Sequence, residues 1–82
     1  MSLADKIREF AYENYIKPAR DIGEDNVIIK AGDLHDEMGL ENKIPSVCRA
    51  LDTKKFQKQY EIELDEREGP SCGVNVLYTF RV

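Results

Sequence analysis

The chain of 82 residues has one histidine, two cysteines and no long apolar run. A membrane-crossing helix needs about 18–20 consecutive apolar residues, so none is expected. The N-terminus lacks the basic and apolar regions of a secretory signal, which makes a cytoplasmic location the expectation. Structural zinc sites draw four Cys or His ligands from short paired spacings. His35, Cys48 and Cys72 stand singly, and neither a metal nor another cofactor is expected. Cys48 reads as a small buried hydrophobe and Cys72 as a loop residue. Catalytic constellations are also missing: there is no Ser/His/Asp spacing and no phosphate loop. His35, beside Asp36 and Glu37, reads as solvent-facing, and GPSCG (69–73) reads as turn chemistry rather than a nucleophile at Ser71 or Cys72. An enzyme is not expected. Repeats and low-complexity tracts are absent, and a chain of this length holds one core, so residues 1–82 read as a single domain.

Hydrophobic residues make up 41% and charged residues 34%, which suits a modest core under a well-solvated surface. In residues 3–22, Leu3, Ile7, Phe10 and Ala11 recur at helical spacing with Asp5, Lys6, Arg8 and Glu9 between them. Tyr12, Ile16 and Ala19 add a second apolar strip. Pro18 lacks an N–H and disfavours helical geometry at Lys17, so a kink is expected there, with Gly23 as the C-terminal cap. Residues 27–30, VIIK, read as a short strand. A helix over 33–39 follows, with Asp33 as its N-cap and Gly39 as its stop, and Leu40 packs back. Pro45 suits the first turn of a further helix over 44–58. Ile44, Val47, Cys48 and Leu51 share one side of it, and Thr53 can cap an additional turn that buries Phe56. Tyr60, Ile62 and Leu64 then alternate with acids, and Val74, Val76, Tyr78, Phe80 and Val82 alternate beyond the Gly/Pro turn. This pattern predicts a hairpin over 60–82.

A helix, a short strand, a short helix, a sharp turn, a helix and a hairpin form an order that resembles the winged helix-turn-helix family from Ile7 to Phe80. The most specific part is VIIKAGDLHDEMGLENKIPSVCRAL (27–51). It is similar to the family's short strand, its positioning helix ending in Gly-Leu and its recognition helix ending in Ala-Leu. The resemblance implies a mainly helical α+β fold of three helices and a small antiparallel sheet with a C-terminal hairpin wing. One departure is that Lys54 and Lys55 stand where the family commonly has an apolar residue, so Phe56 takes over that packing.

Charge is segregated along the chain. Residues 24–41 sum to −5, residues 42–60 to +4 and residues 61–82 to −3, while the first 23 are neutral. The basic segment coincides with the implied recognition helix. Lysine and arginine contacts to phosphate supply sequence-independent affinity for DNA, and an arginine in mid-helix can reach base edges. The resemblance thus implies double-stranded DNA as partner, met by Lys43, Ser46, Arg49, Thr53, Lys54 and Lys55, with Arg67 in the wing. Arg49 is the base-reading candidate, and Lys43 and Lys54 are the phosphate contacts. On this reading the domain is a transcription regulator or a targeting module. The acids of the wing, Asp65, Glu66 and Glu68, oppose it and leave a second reading open: a protein-interaction module that offers an acidic face. Tyr12, Tyr15 and Ile16 are either a homodimer contact or part of the core.

Overall fold

The computed structural model describes residues 2–69 and 73–82, which form an α+β fold. Turn chemistry expected of Pro70, Ser71 and Cys72 lies outside the described residues. The first rod comprises α1 (Leu3–Ala11), a π-helical stretch (Tyr12–Ile16) and α2 (Lys17–Asp21). Strand β1 (Asn26–Lys30) leads into α3 (Ala31–Glu37), α4 (Ile44–Leu51) and α5 (Lys54–Tyr60), and strands β2 (Glu63–Glu68) and β3 (Leu77–Arg81) follow. Among the described residues there are therefore four helical rods, where three helices were expected. All strand pairings are antiparallel in the order β1-β3-β2, so β3 is central.

Local chemistry explains most boundaries. Ser2 caps α1, accepting from the Asp5 amide while the Asp5 carboxylate accepts from the Ser2 amide. Just before Pro18, where a kink was expected, the structure has a π stretch over Tyr12–Ile16, closed by the Lys17 N–H reaching back to the Tyr12 carbonyl. Gly23 and Gly39, at φ +80° and +69°, close α2 and α3 with paired reverse hydrogen bonds. The Gly23 and Glu24 amides bond Arg20 and Ala19, and the Gly39 and Leu40 amides bond Asp36 and His35.

Three expected boundaries need correction. Helix α3 starts at Ala31 rather than Asp33 because its first donors are taken by backbone far along the chain. Ala31 N–H bonds the Val76 carbonyl at 3.0 Å, and Gly32 N–H bonds that of Val74 at 3.1 Å. Asp33 sits exposed in the first turn, where the helix dipole favours a carboxylate. The single helix expected over 44–58 is two helices. Thr53 leaves helical geometry (φ −83°, ψ 145°) and its hydroxyl accepts the Phe56 N–H at 3.3 Å. The hairpin is also shorter than 60–82. Tyr60 belongs to α5, while Val74 and Val76 serve the α3 contact rather than a strand.

The core lies between the helices and one sheet face. Ile7, Ile16, Ile29, Leu34, Val47, Leu51, Phe56, Tyr78 and Phe80 are fully buried, each side chain contributing on the order of 1.5–3 kcal/mol. Phe56 meets Phe80 edge-on at 5.2 Å, and Tyr12 stacks on Tyr60 at 4.3 Å. The expected burial of Phe56 and Cys48 is observed. Ile16 is buried, and Tyr12 and Tyr15 pack against the core, Tyr15 donating to Glu37. Among the described residues no helix is long and apolar enough to cross a membrane.

Candidate nucleic-acid interface

Helix α4 is held on two sides, by α1 and by α3. Its apolar positions 47, 48, 50 and 51 face inward, leaving Pro45, Arg49 and Asp52 as the solvent strip, with Ser46 at its edge. Arg49 is exposed near the centre of that strip. Lys43, just before the helix, is exposed and contributes its backbone to the fold by donating to His35 Nε2 at 3.1 Å.

That contact overturns the solvent-facing reading of His35. The residue is 8% exposed at the junction of α3 and α4; its Nε2 accepts the Lys43 N–H, and its Nδ1 lies 3.5 Å from Asp36 Oδ1. Sequence spacing placed His35 among acids; its burial comes from a partner in the following turn.

The remaining expected contacts divide between free and engaged side chains. Lys54 and Lys58 are exposed on α5 and, with Lys55 and Gln59, line an open hollow of about 550 Å³. Lys55 Nζ lies 3.7 Å from Asp5 Oδ1. The Thr53 hydroxyl is fully committed internally. It donates to the Ala50 carbonyl at 2.9 Å and accepts from the Phe56 amide and from Arg8 Nε.

Arg67 is similarly engaged. Strand β2 carries a bulge between Leu64 and Glu66, which leaves Asp65 as an extra residue. Beyond it the alternation is shifted, and Arg67 falls opposite Tyr78 on the covered face. Its Nε lies 3.4 Å from Asp52 Oδ1, and its guanidinium sits 5.5 Å from the Tyr78 ring centroid. The hydrogen bond with Tyr78, then the charge of Asp52, hold the Arg67 proton more firmly than usual. Asp52 also accepts from the Tyr78 hydroxyl at 3.2 Å, so β2, the core and the end of α4 are joined at one point.

Outside that joint β2 is acidic. Glu63, Asp65, Glu66 and Glu68 are exposed, with Arg81 pairing Glu63 and Asp65. A hydrogen bond shared with Glu68, and the repulsion of its charge, raise the pKa of Glu66 above the ordinary carboxylate range.

Sequence reasoning did not find Arg8. It is 7% exposed, on the side of α1 that faces α4, and its Nη1 bonds Asp5 at 2.9 Å. With Leu3, Ala4, Ser46, Arg49, Ala50 and Thr53 it lines a cleft of about 290 Å³. The only local hint was the Asp5–Arg8 spacing, which is equally that of an ordinary surface pair. Among the described residues no three His, Cys, Asp or Glu side chains converge as a metal site. Comparison with protein-family models, with curated proteins and with solved structures finds no match to this chain.

Proposed function

We propose that the chain is a winged helix-turn-helix domain that binds double-stranded DNA through α4 and the start of α5, as a regulator or targeting module without enzymatic activity. One observation carries the reading: α3, a tight turn and α4 precede two strands of an antiparallel sheet ordered β1-β3-β2, and α4 turns Arg49 to solvent. A major groove about 12 Å wide admits a helix presented in this way. Lys43, Arg49, Lys54, Lys55 and Lys58 against Asp52 give this segment the only strongly positive balance in the chain, and such a surface draws phosphate by releasing counterions. Thr53 and Arg67 drop out as primary contacts on this reading, since both side chains already serve the fold.

Fluorescence anisotropy of a labelled duplex of about 30 base pairs, titrated at several salt concentrations, tests it. Binding should weaken steeply with salt, and Arg49→Glu with Lys54→Glu should abolish it in a folded protein. Unchanged affinity in that double variant would remove the reading. The acids along β2 favour a second reading, a protein-interaction module for a basic partner. Recovery of one stoichiometric protein partner, insensitive to nuclease, would favour that module instead.

A further inference from the structure

We infer that the cleft between the start of α1 and α4 is a phosphate-binding site, with Arg8, Ser46 and Arg49 as its ligand-facing side chains. It rests on the DNA reading for its natural ligand, a backbone phosphodiester, but its chemistry suits any phosphate group.

A buried guanidinium is costly unless its donors are met. In Arg8, Nε points to Thr53 and Nη1 to Asp5, while Nη2 has no hydrogen-bond partner among the described residues. No described buried side-chain nitrogen is both sealed and unpaired, so Nη2 keeps contact with solvent, and Arg8 is among the residues that line the cleft. The two engaged nitrogens fix the plane of the group. What remains is a preoriented donor edge of the kind that matches a phosphate.

The other walls agree with that chemistry. Arg49 brings a second, exposed guanidinium and Ser46 a hydroxyl. Leu3 and Ala4 bring the first-turn amides of α1, which have no partner among the described residues, whereas Ser2 satisfies those of Asp5 and Lys6. The Asp5 carboxylate is bonded to Arg8 Nη1 at 2.9 Å. The Ser2 hydroxyl and backbone, with the charges of Lys55 and Arg8, hold its pKa below the usual value. Among the described residues that line the cleft, Arg8 and Arg49 are the charged ones and none carries a carboxylate, so its own walls are positive. The apolar floor from Leu3, Ala4 and Ala50 lowers the local polarity and strengthens each of these contacts.

The site also adds a contact that the basic residues of α4 and α5 do not supply. It lies on the flank of α4 and uses α1, so a strand that follows Arg49 would be gripped from a second element. Backbone contacts of this kind fix register rather than sequence.

The test uses the whole chain, with Ser46→Glu and Arg8→Gln compared with the unsubstituted protein. Circular dichroism checks folding, and if Arg8→Gln unfolds, the half-buried Ser46→Glu carries the comparison alone. Duplex binding is measured against salt, and amide shifts are followed by NMR as inorganic phosphate replaces chloride at constant ionic strength. In the expected result the duplex binds, Ser46→Glu weakens it at least about tenfold, and the slope of log K against log salt falls by about one. If the duplex binds and both variants bind like the parent with the same slope, the cleft is overturned and the DNA reading stands. If the duplex fails to bind but inorganic phosphate moves the Leu3, Ala4, Ser46 and Arg49 amides, the cleft stands as a small-phosphate site and the DNA reading falls. Silence in both arms overturns both.

Discussion

Replacing Gly32 with alanine probes how the hairpin is fastened to α3. Alanine is the better helix former by about 1 kcal/mol, so propensity alone predicts a stabilised protein. The structure predicts the reverse. A Cβ on Gly32 would lie 2.6 Å from the Val74 carbonyl oxygen, 3.1 Å from Val74 Cβ and 3.3 Å from its carbonyl carbon. Even favourable C–H···O contacts sit at about 3.3–3.6 Å, so the segment around Val74 must retreat by roughly 0.7 Å on that scale. The nearest atom is backbone and cannot rotate aside. That retreat stretches the bonds from Gly32 to Val74 and from Ala31 to Val76, each worth about 1 kcal/mol net. Overpacking adds about 1–3 kcal/mol. After the propensity gain, a net loss of about 1–3 kcal/mol remains, or about 5–20 °C in Tm for a domain of this size. Urea and thermal unfolding measure the loss, and hydrogen exchange at the Ala31 and Gly32 amides should accelerate more than elsewhere in α3. Gly39→Ala serves as the comparison. Nothing lies within 4 Å of its Cβ, so it carries only the cost of a positive φ, about 1–2 kcal/mol. A Gly32→Ala protein as stable as the parent, with both amides still protected, would refute the reasoning.

Two further outcomes follow from other parts of the fold. Thr53→Ala removes the cap of α5 and the acceptor of Arg8 Nε, and should cost about 1–2 kcal/mol in urea unfolding; Thr53→Ser should recover most of it. Burial, acting first, raises the pKa of Tyr15, Tyr60 and Tyr78 above the ordinary value of 10.0, with Glu37 adding to it at Tyr15 and Glu9 at Tyr60. The unfolded chain then loses these protons before the folded one, so their contribution is fully present below pH 10 and is lost as pH rises beyond it. The urea midpoint should fall between about pH 9.5 and 11, with phenolate absorbance rising on unfolding at a fixed pH in that range.

Features set by neighbours in sequence were legible without the structure. The two glycine stops, the apolar face of α4 and the burial of Phe56 depend on residues within one or two turns. The start of α3 was not legible, because its capping carbonyls belong to Val74 and Val76, and Asp33 offered a plausible local substitute. The break at Thr53 was half visible. Threonine was recognised as a cap, yet the apolar spacing through Leu51 and Phe56 also suited an unbroken rod. His35 misled for the same reason as Asp33: its charged neighbours are adjacent, but its partner is the backbone of Lys43. For the candidate interface, the sign and location of the charge were readable from composition by segment. Which cations are already engaged was not. Arg67 is turned inward by a one-residue bulge, and Arg8 is positioned by Thr53, a partner that only packing brings near.

The place of β3 bears on the order in which the molecule can assemble. Strands β1 and β2 never pair with each other; each bonds only to β3, which follows both in the chain. During synthesis, at about 5–20 residues per second, the helices therefore emerge with Ile7, Leu34, Leu51 and Phe56 lacking the rings of Tyr78 and Phe80 that complete their enclosure. Closure waits for one late strand, and it then joins β1, β2 and the first turn of α3 together. Helix formation takes about a microsecond, whereas this closure spans most of the chain and pays the larger loop-closing cost. Folding should therefore be a single event timed by the arrival of residues 76–81, and a ribosome-held chain arrested before Tyr78 should remain open to protease along its whole length.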